Sequence, residues 1–526
     1  MNESVLLHEL ITRSALRTPD ALALTYGKDS LTYAQLQERM TGFAAGLLAN
    51  GLGRGERVGI YLEKRFEAVV ASFGTPSAGG VFVPVNPLLK PDQVAYILRD
   101  CNVRVLVTSP DRFALLRDAL SACHDLRQVV LTGDFDQVRP GSVQVLRMDE
   151  LMGMPPRVGH RLIDNDVIAI LYTSGSTGKP KGVVLSHRNM VAGAKSVASY
   201  LENRADDTLL AALPLSFDAG FSQLTTAFHV GARVVLLNYL LPRDVLHALV
   251  REHVTGLTAV PPLYIQLSQL EIPATVTDHL RYFANTGGRM PLETLKKLRA
   301  ALPRTKPFLM YGLTEAFRST YLPPEEVDRR PDSIGKAIPN AEILVLREDG
   351  TPCAPNEPGE LVHRGALVGM GYWNDPEKTA ERYKALPHRE RGLTISELAV
   401  FSGDTVRMDE EGFLYFIGRR DEMIKTSGYR VSPTEIEEVL YSTQLVAEVA
   451  AFGVLHSTLG QAIVVIATPK CDGVDPGKLL ALCKENLPAY MVPSEIRLLE
   501  EPLPRNANGK IDRKALAQQY DSPRSC

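Results

Sequence analysis

The sequence predicts an α/β protein, with a large N-terminal domain of stacked α/β layers, a small β-rich part within it, and a small α+β C-terminal domain. Three observations carry this. Short apolar runs alternate with helix-length amphipathic runs through the first 320 residues, the pattern of parallel strands joined by crossover helices. From about residue 333 to 417 the texture changes to short strands punctuated by Gly, Pro and Asp, which reads as a β-rich unit. After Arg420 a helix, two strands and a helix restart the pattern, a compact module in its own right. The boundaries are 1–420 for the N-terminal domain, with its β-rich part at 333–417, and 421–526 for the C-terminal domain.

The stretch MNESVLLHELITRSALRTPD has early acidic residues and no long apolar segment, so it reads as an amphipathic helix and not as a signal peptide. QLQERMTGFAAGLLANG follows as a helix and RVGIYL as a buried strand. Between Ala68 and Leu89 no charge occurs, but Pro76, Pro84 and Pro87 break any membrane-spanning helix. That window reads as a helix, a turn and the strand VFVPV. VRVLVTS, ARVVLL and VTGLTAVP are further strands, and PDRFALLRDALSAC is a helix. AEILVLREDG, GELVHRG and FLYFIG supply the β-rich part. Beyond it come the helix PTEIEEVLYS, the strands VAEVAAFGV and QAIVVIATP, and the helix GKLLALCKENL. GLGRGERVG precedes a strand instead of following one, so it lacks the context of a dinucleotide fingerprint and reads as a turn.

Lys and Arg number 58 against 61 Asp and Glu, a net charge of -3. No bulk basic field exists to hold a nucleic acid. The six cysteines are scattered without a CxxC pair, so they read as reduced thiols of a cytoplasmic protein and not as zinc ligands.

One stretch points to chemistry. The apolar run VIAIL ends at TSGSTGKPKG, and VVLSH follows directly. A Gly-rich loop between strands lets backbone N–H groups converge on an anion. Thr173, Ser174, Ser176 and Thr177 add hydroxyl donors, Gly175 and Gly178 give access, and Lys179 and Lys181 bring charge. The ligand this suggests is a polyphosphate. It is not a Walker A loop, because Lys179 is followed by Pro180.

TSGSTGKPKG resembles the phosphate loop of the AMP-forming adenylating superfamily of acyl-CoA synthetases, luciferases and nonribosomal peptide synthetase adenylation domains. The resemblance extends along nearly the whole chain, through GGVFVPVNP, MYGLTE, GELVHRG, GYWNDPEKT, SGD, GRRDEMIKTSGYRVSPTEIE and NGKIDR in the order the family has them. It implies ATP and Mg²⁺ as cofactors and a mobile C-terminal domain. By the same resemblance Glu315 holds Mg²⁺ with Thr314 beside the α-phosphate. Tyr311 stacks on adenine next to Gly312, Asp404 binds the ribose hydroxyls, and Arg419 touches ribose or phosphate. Gly287 and Gly288 of GGRM lie near adenine, where Arg289 departs from the usual small or acidic residue. Lys510 is the implied adenylation catalyst, a compact point charge suited to a developing oxyanion. Asp421 sits at the implied hinge, and Gly428 lets a pantetheine arm pass.

The acid is read from LPLSFDAGFSQL. The pair Phe217-Asp218 resembles peptide-synthetase adenylation domains, in which the Asp binds a substrate ammonium, and Phe221 and Ser222 would complete the pocket. Asp218 has an alternative reading as the N-cap of AGFSQLTTAFHVG. MYGLTE and DEMIKTSGYRVSP are more similar to stand-alone acyl-CoA ligases, and the mixture resembles free-standing acyl-CoA ligases associated with exosortase systems and stand-alone amino-acid ligases that load carrier proteins. The expected activity is activation of a small amino acid and its transfer to the phosphopantetheine of a carrier protein in trans or to CoA. The alternatives are an acyl-CoA synthetase for a non-amino acid, and a catalytically degenerate nucleotide-binding protein, against which Lys510, Glu315 and Asp404 stand intact.

Overall fold

The computed structural model describes residues 3–133, 143–173, 180–386, 396–419, 422–426, 429–456, 459–487, 489–506 and 509–521. Among these, two large sheets dominate the N-terminal part. One has seven strands in the order Gln144–Arg147, Gln128–Leu131, Val103–Thr108, Arg57–Tyr61, Val81–Pro84, Val167–Thr173 and Lys181–Ser186. Its neighbours are parallel except for the last pair, an antiparallel hairpin. The other has nine, running Lys336–Ala337, Thr320–Leu322, Lys306–Tyr311, Tyr282–Asn285, Gly256–Ala259, Thr208–Ala211, Arg233–Leu236, Leu22–Tyr26 and Asp29–Thr32. It is parallel in the middle and antiparallel at both edges.

Successive strand residues face opposite sides of a sheet, and burial sorts them accordingly. Leu209 and Ala211 enter a core shared by both sheets, whereas Leu210 and Ala212 enter a separate core on the far face of the nine-stranded sheet. Phe82 joins the shared core while its neighbours Val81 and Val83 face the opposite way. The helices Tyr33–Ala49, Phe66–Ser77, His187–Tyr200 and Asp218–Val230 fill the space between the sheets. Pro91–Asp100 and Pro242–Arg251 cover the outer faces, completing stacked α/β layers. With both faces covered, these strands are mostly apolar.

A third sheet of five strands runs Ala341–Leu346, Gly359–Gly365, Leu398–Met408 and Tyr383–Ala385, with Leu414–Arg419 also paired to Leu398–Met408. The C-terminal sheet, again of five, runs Tyr429–Val431, Ile424–Thr426, Gly460–Pro469 and Val446–His456, with Glu495–Leu498 parallel to Gly460–Pro469. Pro433–Ser442 and Pro476–Asn486 pack on it around Ile436, Leu440, Leu479 and Cys483. Among the described residues no helix is long and apolar enough to cross a membrane.

Lys64 ties the two large sheets together. It is buried after the strand Arg57–Tyr61, and its ammonium donates to the carbonyl of Ala212 at 2.9 Å, just ahead of LPLSFD. Burial lowers its pKa from 10.5 to about 7. The unfolded chain therefore binds the extra proton between those values, so the cost is fully present below about pH 7 and is relieved as pH rises towards 10.5. Stability is expected to gain up to about 1.4 kcal/mol per pH unit in that window. Thermal unfolding of wild type and Lys64→Met from pH 7 to 10 checks this, and equal slopes for the two proteins would refute it.

Candidate active site

The strands closing the seven-stranded sheet carry the Gly-rich loop. Thr173 ends one, Lys181 opens the next, and the two are direct partners across the hairpin. Ser174, Gly175, Ser176, Thr177, Gly178 and Lys179 lie outside the described residues. Lys181 Nζ stands 5.6 Å from the centre of the Tyr372 ring, and Tyr372 donates its hydroxyl hydrogen to Glu315 Oε1 at 2.5 Å. Burial lowers the Lys181 pKa, with repulsion from Lys378 adding to it. Thr314 and Glu315 occupy the 3₁₀ turn Thr314–Ala316 that follows Lys306–Tyr311. Tyr372 thus links the mouth of the loop to Glu315. Sequence reasoning gives it no role, although it stands within GYWNDPEKT.

Among the described residues no three His, Cys, Asp or Glu side chains gather into a metal cage. Mg²⁺ takes one or two carboxylates plus phosphate oxygens and keeps several waters. Glu315, oriented by Tyr372, is the carboxylate that would serve.

A second cluster suits a ribose. Tyr311 donates to Asp404 Oδ2 at 2.5 Å, and Arg419 Nε lies 3.3 Å from Asp404 Oδ1. Asp404 and Arg419 face one another because they are register partners on antiparallel strands. Oδ1 of Asp404 is buried and accepts no hydrogen bond among the described residues, which leaves an acceptor for a sugar hydroxyl. Burial raises the Asp404 pKa, and Arg419 and the Tyr311 hydroxyl act against it. Gly287 and Gly288 follow the strand Tyr282–Asn285, with Asn285 Nδ2 donating to the Gly288 carbonyl at 2.8 Å. Gly287 has a φ of 75°, and a Cβ there would stand 3.6 Å from Lys510 Cε. A side chain there would be strained by the positive φ and would press on Val260, 3.2 Å away.

The residues expected to meet the acid lie on the helix Asp218–Val230. Half-buried Phe217 holds the N-cap position without a capping bond, and Asp218 is the first helical residue. The N-cap reading of Asp218 is thereby corrected. Its Oδ1 accepts the Ala219 amide at 2.7 Å, and its Oδ2 lies 3.9 Å from Arg318 Nη1. Burial raises its pKa, and Arg318, the Ala219 amide and Lys510 oppose that shift. Phe221 needs a second correction. At 3.6 residues per turn, Ala219, Ser222, Gln223 and Thr226 share one face and line a cavity. Phe221 shares the other face with Leu224 and Phe228 and is part of the core, its ring stacked 4.9 Å from Phe82 and 5.5 Å from Phe73.

Lys510 is displayed on a tight turn of the C-terminal domain. Arg505 and Ile511 pair across it, and Asn506 Oδ1 accepts the Lys510 amide at 3.1 Å. Arg513 anchors the turn, with Nη2 2.7 Å from Glu437 Oε2, Nε 3.0 Å from Glu437 Oε1 and Nη1 3.1 Å from Glu422. The Lys510 side chain is exposed, with its Cε beside Gly287. Burial and Arg419 lower its pKa, while Asp218 and Asp404 raise it. One ammonium therefore feels both Asp404 and Asp218. Asp421 and Gly428 lie outside the described residues. Arg289, from GGRM, faces the C-terminal domain, 3.9 Å from Glu438.

Residues 11–373 match the AMP-binding enzyme family, and residues 435–510 match the AMP-binding enzyme C-terminal domain. The chain belongs to the AMP-binding enzyme family. This AMP-binding enzyme is an adenylate-forming ligase that activates carboxylic acids. It is 31% identical over 527 residues to an L-proline–(L-prolyl-carrier protein) ligase of Pseudomonas fluorescens, covering 98% of this chain and 99% of that one. With a long-chain-fatty-acid–CoA ligase of Salmonella typhimurium it shares 30% identity, over 98% and 94% of the two chains. A linear gramicidin synthase chain of Brevibacillus parabrevis is 32% identical over 98% of this chain, which spans 6% of that much longer protein.

Among solved structures, the o-succinylbenzoate coenzyme A synthetase of Bacillus subtilis in complex with ATP and magnesium ion aligns with a TM-score of 0.81 at 28% identity, over 98% and 99% of the chains. The anthranilate CoA ligase AuaEII in complex with anthranoyl-AMP aligns at 0.87 over 99% and 98%, with 24% identity, a likeness of fold. The AMP-binding enzyme has that fold, with a large mixed α/β N-terminal domain and a small C-terminal one.

Proposed function

We propose that this AMP-binding enzyme activates a small amino acid. The carboxylate oxygen bonds to the α-phosphorus of ATP, the bond from that phosphorus to the bridging oxygen breaks, and pyrophosphate leaves with the electron pair. The acyl group then passes to the thiol of a phosphopantetheine, on a carrier protein or on CoA, and AMP is released. The observation that carries this reading is Asp218. It sits at the acyl end under the influence of Lys510, and the guanidinium paired with it, Arg318, is at 3.9 Å, beyond hydrogen-bond range. A largely buried carboxylate there is best met by a closer cation, and an α-ammonium supplies one.

The remaining roles follow from position. Thr173, Lys181 and the Gly-rich loop receive phosphates, Mg²⁺ at Glu315 neutralises their charge when bound, and Thr314 stands beside it. Tyr311, Asp404 and Arg419 hold the nucleoside with Gly287 and Gly288. Lys510 faces the charge that develops as the two anions meet.

ATP–pyrophosphate exchange with amino acids and their deamino analogues tests this reading. Amino acids alone should support exchange in wild type, and Asp218→Asn should lower kcat/KM by about 2–5 kcal/mol, roughly 30- to 5000-fold. Exchange driven equally by deamino acids, with Asp218→Asn tolerated, would overturn the amino-acid reading. Arg318 favours that alternative, since a guanidinium that neutralised Asp218 would leave a pocket for a plain carboxylic acid destined for CoA.

A further inference from the structure

Arg318 is almost wholly buried, with 3% of its side chain exposed, and it lines the cavity beside Ser222, Gln223, Thr226 and Thr258. Its Nε has no hydrogen-bond partner among the described residues, and neither has Oε1 of Gln223. A buried guanidinium with an open donor is costly unless something arrives to accept from it. The anion it faces, Asp218 at 3.9 Å, does not meet that need.

The backbone is bent to put the guanidinium there. Phe317 has φ 57° and ψ −39°, and the Arg318 amide donates to the Ala316 carbonyl at 2.6 Å. This is a three-residue turn of the rare, strained kind, which persists only where its surroundings enforce it. The enforcement is visible, because the Phe317 side chain is fully buried and a Cβ on Gly193 would stand 2.4 Å from its ring.

We propose that Arg318 reads the substrate's side chain, and that the acid activated is a short acidic amino acid. Its side-chain carboxylate lies on Arg318 while Asp218 holds its α-ammonium. The proposal rests on the amino-acid reading above, and charge balance ties the two together. With an ammonium on Asp218 the Arg318 Nε still has no acceptor, and a carboxylate on the same substrate supplies one. The cavity beside Arg318 measures about 10 Å³, room for about one water, so no bulky side chain enters it and a carboxylate on Arg318 has to come on a short one. Guanidinium suits a carboxylate because it offers a planar pair of donors.

The test is ATP–pyrophosphate exchange with L-aspartate, L-glutamate, L-asparagine, L-alanine and succinate on wild type, Arg318→Gln and Arg318→Lys. Wild type is expected to favour aspartate or glutamate over asparagine and alanine by at least roughly 100-fold in kcat/KM. Arg318→Gln should reverse the preference between aspartate and asparagine, which a merely structural arginine would not do, and Arg318→Lys should keep the acidic preference at a lower rate. Alanine or asparagine serving wild type as well as the acidic amino acids overturns the proposal and leaves amino-acid activation standing. Succinate outperforming aspartate overturns the amino-acid reading, and with it this proposal. Exchange with none of the panel but with a larger neutral amino acid overturns the proposal alone. If Arg318→Gln fails to fold, the wild-type panel and Arg318→Lys decide the matter.

Discussion

Replacing Lys510 with alanine is expected to slow adenylate formation by about 10²–10³-fold, the cost of losing one preorganised charge aimed at a developing oxyanion, about 2.7–4 kcal/mol. The geometry supports an effect of this size. The lysine stands on a braced turn, Gly287 leaves room for its side chain, and its charge is felt by Asp218 at one end of the site and Asp404 at the other. The effect should fall on one half-reaction. Single-turnover release of pyrophosphate from ATP and saturating acid should drop by the full factor, whereas transfer from a supplied acyl-adenylate to the thiol should change little. Equal losses in both steps would refute an adenylation-specific role.

Arg513→Leu is expected to destabilise the C-terminal domain by about 3–5 kcal/mol, because it strands a buried carboxylate. Glu437 is 7% exposed and receives two nitrogens of Arg513 as well as the Ala451 amide. Burial already raises the Glu437 pKa against the pull of Arg513, so removing the arginine lets desolvation act unopposed by its main partner. The substitution should also loosen the turn that displays Lys510, lowering adenylation beyond what the stability loss explains at temperatures where the domain stays folded. Proteolysis or denaturant unfolding of the C-terminal domain measures the first effect, and a change below about 1 kcal/mol would mean the pair contributes no more than a surface salt bridge.

Much of the layered core is legible because strands buried on both faces leave short apolar runs, as RVGIYL and VFVPV do, and amphipathic helices lie between them. What cannot be read is which sheet each strand joins. Leu22–Tyr26 comes before every strand of the seven-stranded sheet, yet it pairs with Arg233–Leu236 in the other, a contact that no local pattern announces. At the site, residues inside recognisable motifs are legible by type, and Asp404, Tyr311 and Arg419 do gather. Phe221 is misplaced from sequence because a spacing of three from Asp218 does not say which helical face meets the core. Lys64 and Arg318 escape notice because a charged residue in a sequence reads as solvated until burial shows otherwise. The signal for Arg318 is present, as a lone cation between buried Phe317 and buried Ser319 directly after MYGLTE.

The strained turn at Phe317 has a consequence for how such a site diversifies. Glu315, proposed to serve the phosphates, and Arg318, proposed to meet the acid, are separated by two residues, one of them clamped in a conformation that leaves no slack. On the proposed roles, selectivity for the acid and grip on the nucleotide would be written on the same few peptide units. A lineage drifting towards a new acid through position 318 has to preserve the clamp, or it moves the phosphate end at the same time. The two halves of the site evolve as one inherited unit.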